Sequence, residues 1–313
     1  MKKTGLLLLL LATMAVAQQP TPEVSGMIST NATLPLVRFE TPSAADLYCA
    51  GFLSPQRLPD ANYVNGGLQT PSTTKITNSE IVYLAGTGYQ VGQLYTIVRE
   101  LRDVNEYELF PGQKKLLAST GRPYGEIGRI RVLDTRSRSA IGEVVFSCDP
   151  INPGDTLIPF VEKQPIAFRA PTHFDRFLPS TDKLNGRIVL GKDFDGFLGT
   201  GGKLYTNLGS NQGVKVGDYL RVVRAYTADL NDPVDSLSFK ASVSEDTQAR
   251  APSFEAGRFT QNSGPNIHVA NLPRRGVGEV VVLSVTPTSS TAMVVFAVED
   301  VHAGDGVEMD NPQ

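Results

Sequence analysis

The chain of 313 residues carries 29 basic and 32 acidic side chains, a formal net charge of −3, and no tryptophan. Mild acidity argues against nucleic acid as the main partner, because a phosphate-binding domain is usually basic. The length accommodates two ordinary domains, and 29 glycines with 21 prolines suit short strands and turns better than long helices.

Residues 1–17 have the three parts of an export signal. Lys2 and Lys3 give a positive start, Leu6 to Leu11 an apolar run, and Ala15-Val16-Ala17 a small-x-small cleavage site before Gln18. A membrane-spanning helix needs about 20 apolar residues, and this run ends sooner. The expectation is therefore cleavage, export to the periplasm or outer cell surface, and no membrane span in the mature chain. Removing residues 1–17 leaves 27 basic against 32 acidic side chains. Residues 18–45 are polar and rich in Pro and Thr, and are expected to be extended.

A first β domain is expected over 46–160. Cys49 lies in a strand-like run from Leu47 to Leu53, and Cys148 alternates with Val144 and Phe146, so those three are expected on one buried face. In an oxidising compartment an isolated cysteine pair is a natural disulfide. Cys49–Cys148 is favoured over two separate buried thiols. Gln113 to Ser119 makes at most a short helical turn. Ile127 to Asp134 and Gly142 to Cys148 read as a hairpin of two strands joined at Thr135-Arg136-Ser137-Arg138.

Arg129, Arg131, Arg136 and Arg138 form a basic stripe here, with Arg129 and Arg131 on one strand face. It is the candidate anion-binding site, for a polymer or a phosphate-bearing headgroup. A solvated strand face is the other explanation.

A linker follows over 161–182, punctuated by Pro165, Pro171 and Pro179. The second β domain, 183–309, contains Asp193-Phe194-Asp195-Gly196, the opening of a calcium loop without its later acidic positions. A loop between strands explains it better. Gly199-Thr200-Gly201-Gly202 suggests a phosphate cradle, but a strand rather than a helix follows, so a hairpin turn is expected. Residues 229–265 are polar with few large apolar anchors, and are expected to form a long mobile loop.

The two domains repeat each other. Residues 128–155 align with 278–305 without a gap, and nine of the 28 pairs are identical where chance gives about two. Gly128/Gly278, Val132/Val282, Val144/Val294 and Phe146/Phe296 are among them. The hairpins are expected to superpose, with Val132, Val144 and Phe146 in the core places of Val282, Val294 and Phe296. Upstream, Val91-Gly92 and Val98-Arg99 match Val216-Gly217 and Val223-Arg224. The pairs Gly154-Asp155, Gly304-Asp305 and Gly217-Asp218 are read as turns, since Gly accepts positive φ and Asp bonds nearby amides. The fold class is all-β: two related small barrel-like or sandwich domains from an internal duplication.

The histidines His173, His268 and His302 are scattered, and no catalytic, metal-binding or cofactor-binding constellation stands out.

Gly209-Ser210-Asn211-Gln212-Gly213-Val214-Lys215-Val216-Gly217-Asp218, a strand ending Val222-Val223-Arg224, and a following Gly-x-Val strand resemble a bacterial envelope β module. Similar modules occur in the carboxy-terminal domain of flagellar assembly protein T and beside LysM domains of exported proteins. The resemblance covers about 75–160 and 185–309 and brings no catalytic residues. It implies a non-enzymatic assembly or scaffold component of the envelope, whose partner is an envelope protein or cell-wall polymer. The alternative is a binding module for peptidoglycan or a surface polysaccharide.

Overall fold

The structure is a computed structural model. It describes residues 40–68, 75–103, 107–136, 138–167, 169, 174–177, 179–180, 184–225, 241–242, 247–248 and 273–309. The expected signal, all but the last residues of the extended segment, and nearly all of the 229–265 loop lie outside the described residues.

Helix α1 (Ala44–Tyr48) leads into strands β1 (Phe52–Ser54), β2 (Tyr63–Gly67), β3 (Ile81–Ala85) and β4 (Leu94–Glu100). Helix α2 (Gln113–Thr120) precedes β5 (Arg122–Asp134), β6 (Ala140–Ser147) and β7 (Thr156–Pro159). Then come β8 (Asn185–Gly191), β9 (Phe197–Leu198), β10 (Lys203–Thr206) and β11 (Tyr219–Arg224). Two short paired strands, β12 (Ala241–Ser242) and β13 (Thr247–Gln248), stand apart. The chain ends in β14 (Arg275–Val285), β15 (Ser290–Ala297), β16 (Val301–His302) and β17 (Gly306–Met309).

The expected all-β class with two barrel-like units is what the chain adopts. In the first barrel the strand order is β5-β4-β7-β2-β3-β6, with β6 returning to β5. In the second it is β14-β11-β17-β8-β10-β15, with β15 returning to β14. Taken in chain order, each strand of one barrel has its counterpart in the other. Register agrees as well: Gly128 faces Ser147 and Ile130 faces Val144, as Gly278 faces Ala297 and Val280 faces Val294. The ladder slips at Arg129/Ile130 and again at Glu279/Val280, the same place in both. The repeated glycine has a steric cause there: a Cβ on Gly128 would sit 2.5 Å from the Phe146 carbonyl oxygen, and one on Gly278 2.6 Å from that of Phe296.

Each interior is a closed apolar core. Val82, Ile97, Ile130, Val132, Val144 and Ile151 fill the first barrel; Ile188, Leu204, Leu220, Val280, Val282 and Val294 fill the second. Each such side chain contributes roughly 1.5–3 kcal/mol by leaving water.

Two local expectations are corrected. Strict alternation along β6 would put Phe146 inside with Val144, but the bulge adds a residue and turns Phe146 to the outer face, half-buried opposite Arg129. Phe296 makes the same turn outward, yet is buried because other elements cover that face of the second barrel. Cys49 is not in a strand. A capping box between Ser43 and Asp46 starts α1, Cys49 caps its carboxyl end, and the strand begins only at Phe52.

Both barrels belong to one compact unit, Val37–Gln313. Strand β1 pairs with β5 outside the first barrel, and its remaining edge lies against the second. A bare strand edge is a template for further pairing. Here three hydroxyls of the second barrel bond carbonyls along Ala50 to Leu53, one in β1 and two in the residues leading into it. Tyr205 donates to the Ala50 carbonyl at 2.9 Å, Thr291 to that of Gly51 at 2.9 Å, and Ser289 to that of Leu53 at 3.1 Å. Leu53, Val189, Leu190 and Tyr205 form a buried cluster with Leu116 and Leu117 of α2 packed on it. Desolvation pushes the Tyr205 hydroxyl far above the ordinary tyrosine range.

Candidate functional site

The sequence-flagged arginines do not converge. Arg129 projects from the outer face of β5 between two rings, its guanidinium carbon 3.8 Å from the centroid of Phe160 and 4.4 Å from that of Tyr48. Arg131 is exposed one pleat further on, facing Glu143 across the ladder. Arg136, at the hairpin tip, bonds Asp134 through Nε at 2.9 Å and Nη2 at 2.5 Å, holding that carboxyl down at about 2. Arg138 is exposed beyond it. One member of the stripe is thus covered by aromatic rings and another is paired with a carboxylate.

The more developed charge cluster lies beside Arg129. Lys163 Nζ donates to both oxygens of Glu126, at 2.6 and 2.8 Å, and to the Leu47 carbonyl at 2.7 Å. Glu126 is buried on β5 and also accepts from the Gly51 amide at 3.2 Å. Desolvation raises its pKa, with Lys163 pulling the other way. The Lys163 amide donates to the Tyr48 hydroxyl at 3.0 Å. The disulfide Cys49–Cys148, expected from the cysteine count, closes the same corner with a Cα–Cα distance of 5.7 Å. Together these groups tie α1, β5, β6 and the segment after β7 into one knot.

The second barrel solves the same place with opposite charge. Glu279, the counterpart of Arg129, is buried and takes a hydrogen bond from Arg169 Nη2 at 2.5 Å. Arg169 in turn lies 4.3 Å over the Tyr219 ring. Phe174 meets Phe296 edge-on at 4.9 Å, and the Gly276 amide donates to the Arg176 carbonyl. In segment 161–182, the expected linker, Lys163 packs on the first barrel and Ile166 and Phe174 on the second.

A matched pair of ion clamps was missed from sequence. Arg99 at the end of β4 donates to Asp155 through Nε at 2.7 Å and Nη2 at 2.6 Å, and to the Pro150 carbonyl. Arg224 at the end of β11 does the same to Asp305, at 2.8 and 2.8 Å, and to the Asp300 carbonyl. Each aspartate also accepts from a backbone amide three residues earlier, that of Asn152 or His302 at 2.8 Å. Gly154 and Gly304 take φ of +95° and +101°, so the Gly-Asp turns are as expected. The signal was in the repeat: Val98-Arg99 and Val223-Arg224 recur together with the two aspartates.

Elsewhere, Asp193 and Phe194 sit in a 3-10 turn between β8 and β9, and Gly199 to Gly202 form the turn before β10. Among the described residues no three His, Cys, Asp or Glu side chains are grouped to hold a metal, and no helix is long and apolar enough to cross a membrane. No protein-family model matches the chain, and no curated protein matches it. Chemically, this arrangement holds shape: its buried cations are engaged by carboxylates, rings and carbonyls of the same chain.

Proposed function

We propose that the protein is a non-enzymatic assembly or scaffold component of the bacterial cell envelope, exported by a signal cleaved before Gln18, with an envelope protein as partner. The observation that carries this is the union of the two barrels. The disulfide, the Lys163–Glu126 knot and the hydroxyls bonded to carbonyls along Ala50 to Leu53 join them into one compact unit. Such construction suits presenting surfaces to other proteins. Descent of the barrels from one duplicated β unit belongs to the same proposal, supported by their common strand order and register. So does kinship with the envelope modules named above, supported by the turn motifs. In-cell crosslinking followed by mass spectrometry is the test. Recurrent capture of one envelope protein is expected; capture of none, with a turnover of cell-wall substrates by the purified chain, would overturn it. Intact Met1 on protein from the native host would overturn export.

A second reading, binding of peptidoglycan or a surface polysaccharide, is favoured by aromatic rings standing in solvent, with Tyr107 80% and Phe197 53% exposed. Such rings stack on sugars. Sedimentation with isolated sacculi, abolished by replacing both rings with alanine, would support it over the scaffold.

A further inference from the structure

The second barrel is apolar on its outer face where the first carries charge. Val281 faces Met293 across β14 and β15, and the repeat puts Arg131 and Glu143, which face each other across β5 and β6, in the same places. Arg131 is exposed and Glu143 half-buried, whereas Val281 is fully buried and Met293 is 1% exposed. With Leu283 and Val295 these two make an apolar surface that water would penalise if it were bare.

What covers it is an amino-terminal strap, residues 40–50, together with Ile166 and Phe174. Leu47 and Ala50 are buried in this cluster. Asp46 pairs at 2.5 Å with Lys203, which faces Met293 across the β10–β15 ladder, so α1 lies over Met293. The Glu40 amide donates to the Val295 carbonyl at 2.8 Å. Helix α1 has five residues, and a helix that short does not persist in water by itself, so its place depends on its anchors. Barrel one supplies two of them: Lys163 Nζ on the Leu47 carbonyl, and the disulfide from Cys49 at the helix end to Cys148. Both cysteines are half-buried rather than enclosed in a core, and accessible disulfides are the labile ones. Neither barrel needs this bond to close, since β6 returns to β5 and β15 to β14 through their own ladders.

We propose that Cys49–Cys148 is a redox latch, whose reduction by a dithiol releases residues 40–48 from barrel two and bares the Val281, Leu283, Met293 and Val295 face. One thiolate of the dithiol attacks a sulfur of the bond, forming a mixed disulfide and freeing the other cysteine as a thiolate that takes up a proton. The second thiolate of the dithiol then displaces the remaining cysteine, which is protonated in turn, and the dithiol departs as a disulfide. Two electrons and two protons pass to the protein, and a disulfide oxidant reverses the exchange. The latch goes beyond the scaffold proposal and stands or falls without it.

The test uses the full mature chain without denaturant. Dithiothreitol should reduce the bond. Once the thiols are blocked with iodoacetamide, peroxide should convert Met293 to its sulfoxide at least about tenfold faster than in the oxidised chain. Amide exchange should quicken over residues 40–48 while β4, β5, β11 and β14 stay protected. Cys49→Ser with Cys148→Ser, which carries no thiol, should behave as the reduced chain does. Three results would each overturn the latch and leave the disulfide a structural tie: a bond that yields to dithiothreitol only in denaturant, a Met293 equally protected in both states, or loss of protection throughout both barrels.

Discussion

At the scale of single residues, the two Arg–Asp clamps share one geometry but differ in burial. Arg224 and Asp305 side chains are 7% and 5% exposed, while Arg99 is 31% exposed over a buried Asp155. Removing one partner of a buried pair strands the other charge and costs about 3–5 kcal/mol. Arg224 keeps Glu299 at 3.8 Å, so Asp305→Asn should fall at or below the low end of that range, and solvent screening at Arg99 should hold Asp155→Asn lower still, to about 1–2 kcal/mol. Urea denaturation of the two variants measures the difference, and equal losses would contradict the burial argument. Glu126 gives a pH test. Burial raises its pKa above the ordinary 4.5, so the folded protein binds that proton more tightly than the unfolded chain. Its stabilising contribution is present below that value and is lost as pH rises through the interval above. Melting curves across this range should show wild type losing stability relative to Glu126→Gln as pH increases.

Among the elements, the bulges in β6 and β15 decide the worth of two identical phenylalanines. Phe296 is 2% exposed under Phe174 and the residues around α1. Phe296→Ala should cost about 3–5 kcal/mol, and Phe146→Ala about 1–2 kcal/mol, because its outward face is only half covered. Had the bulge been absent, the two would cost alike. The run Ala50 to Leu53, which leads into β1, takes three hydrogen bonds from side chains of the other barrel. Thr291→Val combined with Ser289→Ala removes two of the three donors. Amide exchange should quicken across residues 50–54 while the interior strands β11 and β14 stay protected.

For the whole molecule, the disulfide ties the residue ending α1, which packs on barrel two, to the end of β6 in barrel one, across 99 residues. In the chain-entropy model such a loop is worth about 4–5 kcal/mol. Cys49→Ser with Cys148→Ser should lower stability by up to that amount. It should also loosen the two barrels, seen as a larger radius of gyration in solution scattering. Unchanged scattering with a lowered melting point would mean that the hydroxyl contacts and the Lys163–Glu126 knot hold the barrels together unaided.

Much of this was already present in the amino-acid order. Patterns of period two, β-branched runs and Gly-Asp turns gave the strands, and the gap-free repeat gave two like units, because register is a local property carried by side-chain alternation. Cysteine count gave the disulfide. What the sequence could not carry was anything that depends on which surface meets which. The bulge that turns Phe146 outward reflects close backbone approach at Gly128. The partners of Arg129, Glu126 and Lys163 come from segments far apart in the chain. The burial of Phe296 against the half-burial of Phe146 follows from what lies on each barrel. Identical residues in identical strands acquired different roles because the tandem covers one barrel's outer face more fully than the other's at this place, and only the packed tertiary structure makes that choice.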